Sequence, residues 1–376
     1  MLAKTGKAIQ PWRDWLVQFG MAVLAVALAL LVGAVIILLM GESPVAAYRA
    51  ILYGAFGNIN NLSETVVKAA PLVLAGAGLA IAYRANMWNI GAEGQIYVGG
   101  MAAICVGLYL GDLPAVIVLP LAALAGFIGG ALWAGIAGIL KVRLGIDEVI
   151  NTIMLNYIAA LGVNWLIHGP LKDPAAGFPR TAMIPITAQL PILIPRTRLH
   201  LGVVMAIVLA VLLQWLLWRT SLGFRIRAVG QNKTAARYGG INVGRTMMIA
   251  MLISGGMAGL AGMNQTNGLH FRMLQDISGG IGFTAIAVAL LAGNQPIATL
   301  LSGFILAALD VGANAMQIRA HVPIEVVKII QGLVILFVVG REYFNRRILA
   351  RRRSLAERLE HEEKRRAETA GLESAS

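Results

Sequence analysis

Long uncharged segments recur along this chain, and they limit its fold more than any other feature. The run from Leu16 to Met40 contains no charged residue, and similar runs cover residues 115–140 and 201–218. A helix needs about 20 apolar residues to cross the hydrocarbon core of a bilayer. A signal-peptide core has only about 7–15 apolar residues, so the first run is too long to be one. Charged residues are only 13% of the chain, against roughly 25% in a soluble domain. The sequence therefore predicts an all-α integral membrane protein.

The apolar segments predict a polytopic bundle of about ten transmembrane helices. An amphipathic helix is expected at 43–58, on the outer surface, and an outer loop with six prolines at 169–200. The predicted domain boundaries are a cytoplasmic N-terminus at 1–16, a transmembrane domain at 17–340 and a charged cytoplasmic tail at 341–376. The predicted spans are residues 17–40, 63–83, 94–110, 115–140, 148–167, 201–218, 246–267, 282–292, 297–315 and 324–340.

The distribution of basic residues predicts which side of the membrane each segment faces. The net charge is +13, and ten of the 31 basic residues lie in the tail from 341 to 376. Six more lie at 219–245, a polar interval between two apolar runs that has no acidic residue. Basic residues near span ends stay on the cytoplasmic side, so both termini and this interval should be cytoplasmic. The natural counter-charge is the anionic lipid surface, and we expect no nucleic-acid partner.

Within the basic interval, residues 233–238 have the pattern of a short helix. Gly239 and Gly240 follow it and suit a helix stop. A compact helix between two spans could dock onto a soluble partner. Alternatively, the interval could serve only to orient the neighbouring spans in the membrane.

A second distinctive stretch, at 86–99, mixes polar side chains with glycines at a span boundary. It could be a broken or re-entrant helix that lines a substrate path, since an ionisable residue among apolar spans is costly. It could instead be a helix N-terminus at the interface, where a glutamate favours the helix dipole. Two asparagines in the predicted span 148–167 could line a pore or hold helices together. The candidate path residues are Asn86, Asn89, Gly91, Glu93, Gln95, Asn151 and Asn156.

These stretches resemble motifs of one transporter family. Residues 89–95, Asn-Ile-Gly-Ala-Glu-Gly-Gln, resemble the signature of permeases in the nucleoside and simple-sugar branch of the ABC importers, a branch similar to branched-chain amino acid permeases. Weaker matches follow in the family's order at 148–157, 287–296 and 323–333. Ala235, Ala236 and Gly240 match the cytoplasmic motif of such permeases, while Thr234 stands where many members carry Glu.

The resemblance implies a function and a set of partners. The chain would be the permease subunit of an ABC importer that carries a nucleoside, or a simple sugar, across a bacterial cytoplasmic membrane. It looks most like the longer of two paired permeases, so we expect a second permease, an ATPase subunit and a substrate-binding lipoprotein or periplasmic protein. The ATPase would seat on a coupling helix formed by Lys233, Thr234, Ala235, Ala236, Arg237, Tyr238, Gly239 and Gly240.

Motifs for enzymatic chemistry are absent from the sequence. It has no Gly-x4-Gly-Lys-Ser/Thr string, so we expect ATP–Mg to be used by the partner ATPase and no cofactor to be bound here. The five histidines lack metal-ligand spacing, and no nucleophile motif supports a membrane-embedded enzyme. The main alternative is an ion-coupled secondary transporter of a small polar solute. It would need an intramembrane carboxylate, which Glu93 or Asp310 could supply.

Overall fold

The computed structural model describes residues 27–334 and 336–337, and helices account for nearly all of their regular structure. Two isolated β-bridges are the only strand-like pairings among these residues. A short 3₁₀ helix, Ile186–Ala188, lies in the proline-rich loop. The helices are α1 (Ala27–Leu39), α2 (Pro44–Phe56), α3 (Ile59–Arg84), α4 (Ala92–Leu110), α5 (Ala115–Leu144), α6 (Glu148–His168), α7 (Gly202–Arg219), α8 (Ser221–Gln231), α9 (Lys233–Tyr238), α10 (Val243–Met263), α11 (Ile281–Leu291) and α12 (Thr299–Ala320).

The chain forms two compact units. One unit is Ile37–Val327, and its helices contain both candidate sites described below. The other combines Met1–Ile36 with Lys328–Ser376, and the described part of it is α1 up to residue 36 and helical residues beyond 327. The predicted cytoplasmic segments 1–16 and 341–376 lie outside the described residues.

Among the described residues, seven helices are long and apolar enough to cross a membrane, or up to eight if α1 and α2 together form one broken span. The all-α class and the multi-pass character are thus confirmed, while the number ten stays a prediction. The predicted span 282–292 corresponds to α11, whose 11 residues measure about 16 Å and are shorter than the hydrocarbon core. The predicted first and last spans extend beyond the described residues.

Local capping explains where several helices begin. Pro44 occupies the first turn of α2, where its missing N–H costs nothing, and the Ser43 side chain accepts from the Ala46 amide. Asn58 and Asp147 cap α3 and α6 in the same way. The predicted helix at 43–58 is therefore confirmed as α2.

Close backbone contact between α4, α5 and α10 depends on glycine. A Cβ on Gly259 would lie 2.0 Å from the Gly126 carbonyl oxygen, and one on Gly130 would lie 2.2 Å from the Gly255 oxygen. A Cβ on Gly99 of α4 would lie 2.2 Å from the Gly259 Cα. Small residues let helices approach this closely in lipid, where packing replaces the hydrophobic effect as the cause of association. These three helices and α3 form the centre of the larger unit.

The helices differ sharply in how much of their surface is covered. The apolar window of α3 is 89% buried, whereas those of α5 and α6 are only 28% buried. The open faces of α5 and α6 carry large apolar side chains such as Leu132, Ile150 and Leu161. Apolar faces of this kind suit contact with lipid.

The glycine contact predicts a position-specific effect of adding one methyl group. We expect Gly259→Ala to cost about 1–3 kcal/mol of stability, because the added Cβ has no room beside α5. The measurement is the thermal midpoint of the detergent-solubilised protein. The matched control is Gly162→Ala on α6, where a Cβ meets no described atom within 4 Å. Equal midpoints for the two variants would contradict the close-packing account.

Candidate functional site

The non-helical connection between α3 and α4 is held by a buried pair of side-chain amides. Asn89 is fully buried; its Nδ2 donates to Gln95 Oε1 and its Oδ1 accepts from Gln95 Nε2, both at 2.9 Å. Asn89 Nδ2 also donates to Ser254 Oγ on α10 at 3.0 Å, and Oδ1 accepts from the Gly91 amide at 2.9 Å. The pair replaces the helical hydrogen bonds that this connection lacks.

Two side chains of α6 complete the same connection. The Asn156 Nδ2 donates to the Ile90 carbonyl at 3.0 Å, and its Oδ1 accepts from the Gly94 amide at 2.8 Å. Thr152 Oγ1 accepts from the Ile90 amide at 3.2 Å. Thus Asn156 joins α6 to the start of α4, as expected for an asparagine that would otherwise be unpaired among apolar helices.

Glu93 caps a helix, but the helix is α11 and not its own. Its Oε1 accepts from the Gly280 amide at 3.2 Å and its Oε2 accepts from the Gly282 amide at 2.8 Å. The positive end of the α11 dipole stabilises the carboxylate there. Gly282 is required by the close approach, since a Cβ would lie 2.2 Å from the Glu93 backbone nitrogen.

The structure brings together five of the seven predicted path residues: Asn89, Gly91, Glu93, Gln95 and Asn156. Asn86 is exposed and has a left-handed backbone, with φ of 54°. Asn151 is partly buried, and its Nδ2 has no hydrogen-bond partner within the described part of the chain. Their role in a substrate path stays a prediction.

Sequence reasoning missed the partners of this cluster. Thr152 lies one helical turn before Asn156, so its position on the same face was a usable signal. Ser254, Gly280 and Gly282 had no such signal, because they are far from residues 89–95 in the chain.

The basic interval forms two helices, α8 and α9. The predicted helix at 233–238 is confirmed as α9, which the Asn232 side chain caps by accepting from the Thr234 and Ala235 amides at 2.9 and 3.0 Å. Gly240, with φ of 78°, stands after the helix in the left-handed conformation expected of a stop.

The two faces of α9 differ. Ala236 is only 6% exposed and packs into the apolar core of the bundle, while Ala235 is exposed and Tyr238 is 90% exposed. Exposed large aromatic side chains are typical of residues that contact a partner protein. The exposed face of α9 thus includes Ala235 and Tyr238 but not Ala236, and its use as a docking face stays a prediction.

The helix α8 was not predicted. Its Ile226 and Val229 are buried, and a Cβ on Gly230 would lie 1.9 Å from the Arg84 carbonyl oxygen at the end of α3. The six basic residues made this interval look uniformly polar, so its narrow apolar face was overlooked.

A group around Trp218 ties α7 and α8 to the turn between α11 and α12. The Trp218 Nε1 donates to Gln295 Oε1 at 3.0 Å, and the guanidinium of Arg227 lies 4.4 Å from the ring centroid. Arg84 donates to the carbonyls of Gly293 and Asn294 at 3.0 and 2.9 Å. These contacts join the end of α3, the basic helices and the start of α12.

Asp310, considered above for ion coupling, forms an ion pair on the face of α12. Its Oδ2 lies 2.6 Å from Nζ of Lys68 on α3. The sequence pattern does not identify Lys68 as its partner.

Within the described part of the chain, no group of three or more His, Cys, Asp or Glu side chains is arranged to hold a metal ion.

Comparison with known proteins identifies relatives over most of the chain. The family described as branched-chain amino acid transport system / permease component matches residues 61–339. The guanosine ABC transporter permease NupP of Bacillus subtilis is 41% identical over 84% of this chain and 92% of its own length. The glucose permease TsgB13 of Haloferax volcanii is 35% identical, covering 88% and 90% of the two chains. The nucleoside permease NupB of Lactococcus lactis is 33% identical, covering 84% and 89%.

The Glu93 geometry predicts a graded response to substitution. Glu93→Gln keeps one acceptor oxygen for the α11 amides, whereas Glu93→Ala removes both. We expect thermal stability to fall in the order wild type, Gln, Ala, with about 1–3 kcal/mol lost for each amide left unpaired. Thermal midpoints of the purified protein test the order. Identical midpoints for all three proteins would show that the carboxylate does not hold α11.

Proposed function

Because the chain belongs to the family of branched-chain amino acid-type permease components of ABC transport systems, we propose that it moves a nucleoside into the cytoplasm. It is a multi-pass membrane permease subunit, a transport component. The proposal of a nucleoside rests on the guanosine and nucleoside permeases among its relatives. A simple sugar is the second candidate, supported by the glucose permease.

The exposed docking face of α9 carries the proposal. ATP-driven import needs a rigid contact between the permease and a soluble ATPase, and α9 presents Ala235 and Tyr238 outside the bundle. We place the coupling contact on this face, with Lys233, Thr234, Arg237, Gly239 and Gly240 around it. ATP and Mg²⁺ would bind and react in the partner, and this chain itself would be no enzyme.

The remaining partners follow from the same proposal. A second, shorter permease would complete the membrane part as a heterodimer, and a lipoprotein or periplasmic receptor would deliver the solute. The membrane would be the bacterial cytoplasmic membrane, with ten spans and both termini inside. Segment 1–16 and tail 341–376 would then be cytoplasmic, and their basic residues would meet anionic lipid.

Within this proposal, the cluster at 89–95 positions the path and does not itself bind solute. The amides of Asn89, Gln95 and Asn156 are already paired with protein groups, and Glu93 is held by two backbone amides. Asn86 and Asn151 are the two candidates with polar groups not drawn into this cluster.

The pairing of the two candidate coupling carboxylates, Glu93 and Asp310, disfavours an ion-coupled secondary transporter. Glu93 is engaged by the Gly280 and Gly282 amides, and Asp310 is engaged by Lys68. A coupling carboxylate must bind and release its ion during the cycle, and these partners compete with that ion.

Uptake by the reconstituted complex tests the function. We expect proteoliposomes that contain both permeases and the ATPase, supplied with the receptor, to accumulate labelled guanosine or adenosine only when ATP reaches the ATPase. Labelled ribose and glucose are the comparison solutes. Uptake driven by an ion gradient, by this chain without any ATPase, would overturn the proposal.

Substitutions on the docking face of α9 should impair coupling to the ATPase without impairing folding of the permease. We expect Ala235→Glu and Tyr238→Ala to leave the thermal midpoint unchanged but to reduce co-purification with the ATPase, together with ATP-driven uptake. Losses of about tenfold or more in affinity are typical of a buried aromatic contact. The matched control is Ala175→Glu in the loop 169–200, which is also exposed. A full loss of co-purification in the control, or none in the α9 variants, would contradict this assignment.

Sidedness can be tested with single cysteines. The chain has one natural cysteine, Cys105, so Cys105→Ala provides the background. In spheroplasts, we expect a membrane-impermeant thiol reagent to label Ile186→Cys, an exposed position in the proline-rich loop, but not Thr234→Cys on α9. Permeabilised cells should label both. Labelling of Thr234→Cys from outside would place α9 on the wrong side for an ATPase.

A further inference from the structure

The ion pair between Lys68 and Asp310 joins the centre of α12 to a point about 14 Å from the start of α3. Helix α12 has 22 residues, and Asp310 is close to its centre, with about 15 Å of helix on either side. That distance is about half of the hydrocarbon thickness. The pair is therefore as far from both ends of α12 as a residue of this helix can be.

The pair is also open on one side. The Lys68 side chain is 32% exposed and the Asp310 side chain 49% exposed. Charged side chains at this depth are costly in lipid, and those found there almost always face protein or a water-filled cavity. The open side of this pair must accordingly be wet or covered by polar protein groups.

The same faces of α3 and α12 carry further polar side chains, among apolar ones such as Val311 and Ile318, toward one end of the bundle. Asn314 lies one turn beyond Asp310, and Asn61 lies two turns before Lys68, so each shares a helix face with a member of the pair. Both asparagines line a cleft of about 470 Å³, together with Tyr53, Asn58 and Arg319. A cleft of this volume is within the range of small-molecule sites.

A second groove of the bundle has the opposite character. It measures about 680 Å³ and runs between α4, α5 and α10, where its lining side chains are apolar, among them Leu132, Ile136 and Leu252. Such a groove matches acyl chains. The polarity of the α3–α12 face thus distinguishes it from the lipid-facing sides of the bundle.

We propose that the Lys68–Asp310 face of α3 and α12 lines the water-filled translocation path, and that the asparagine cleft at its end binds the transported solute. Lys68 and Asp310 cancel each other's charge. The cleft offers the exposed Asn314 amide, which can both donate and accept hydrogen bonds, beside the Tyr53 ring that the Arg319 guanidinium covers at 3.8 Å. The Asn61 Nδ2 donates to the Tyr53 carbonyl and the Asn58 Oδ1 caps α3, which leaves the Asn61 Oδ1 as an acceptor and the Asn58 Nδ2 as a donor for a solute. This chemistry fits a neutral solute rich in hydrogen-bond donors and acceptors, such as a nucleoside or a sugar. The inference rests on the proposed import function.

Cysteine accessibility tests the proposal in the complete complex. In the Cys105→Ala background, we expect Asn314→Cys and Asn61→Cys to react with a water-soluble methanethiosulfonate, because the attacking species is the thiolate and it forms in water. The matched control is Leu161→Cys on the exposed apolar face of α6, which we expect not to react. Reaction of the α3 and α12 positions no faster than the control would overturn the water-lined path.

Protection by solute tests the binding site. Saturating guanosine, ribose and glucose are added in separate arms, and the solute that is transported should slow labelling of Asn314→Cys or Asn61→Cys. In uptake assays, Asn314→Ala should raise the solute concentration for half-maximal uptake about three- to tenfold, as expected for one lost hydrogen bond. ATPase co-purification should not change.

The outcomes separate this inference from the proposed function. Wild-type nucleoside uptake without solute protection, and with an unchanged half-maximal concentration in Asn314→Ala, would overturn the binding site while import stands. Accessible cysteines and solute protection in a complex whose uptake does not depend on ATP would support the site and overturn ATP-driven import.

Discussion

Inside a lipid bilayer every backbone polar group needs a partner, and this constraint explains how the break between α3 and α4 exists at all. Outside a membrane, water could satisfy the groups around Ile90 and Gly91. Here Asn89, Thr152 and Asn156 do so, and their own polar atoms are satisfied in return. The break places Glu93 in the first turn of α4, from where its carboxylate reaches α11. The turn between α3 and α4, which side chains of α4, α6 and α10 hold in place, thus sets the position of α11.

What the sequence could predict depends on how far apart the interacting residues lie. The helix α9 is predicted from the pattern of residues 233–238 and the glycine stop directly after them, so local pattern is sufficient. The helical class and most spans follow from apolar run length. The partners of Glu93 lie 187 and 189 residues away, and Lys68 lies 242 residues from Asp310. The periodicity of apolar residues along the sequence cannot predict contacts between residues so far apart in the chain. The sequence accordingly leaves two alternatives for Glu93, a path residue or a cap at the start of its own helix, and the structure shows a cap on the distant helix α11. Helix α8 is hard to recognise because only Gly223, Ile226 and Val229 form its buried face, in an interval that six basic residues make polar overall.

Exposure and polarity together distinguish the faces of the bundle that suit lipid from those that do not, although neither property does so alone. The open sides of α5 and α6 carry leucine and isoleucine, which lipid accepts without cost. The open side of α3 and α12 carries Lys68 and Asp310, whose side chains are 32% and 49% exposed, and the exposed Asn314. A soluble protein would show this polar face as ordinary surface. Among helices of membrane-spanning length the same residues identify where lipid is excluded.

Helices α3 and α12 also connect this polar face with the basic end of the bundle. At that end, Arg84 of α3 is bonded to the carbonyls of Gly293 and Asn294, and Trp218 is bonded to Gln295 in the same turn before α12. Gly230 of α8 packs directly against the Arg84 carbonyl. A displacement of α8 must therefore either break these contacts or carry the end of α3 and the start of α12 with it. Since the two helices hold Lys68 and Asp310, a movement imposed at α8 and α9 has a direct structural route to the ion pair.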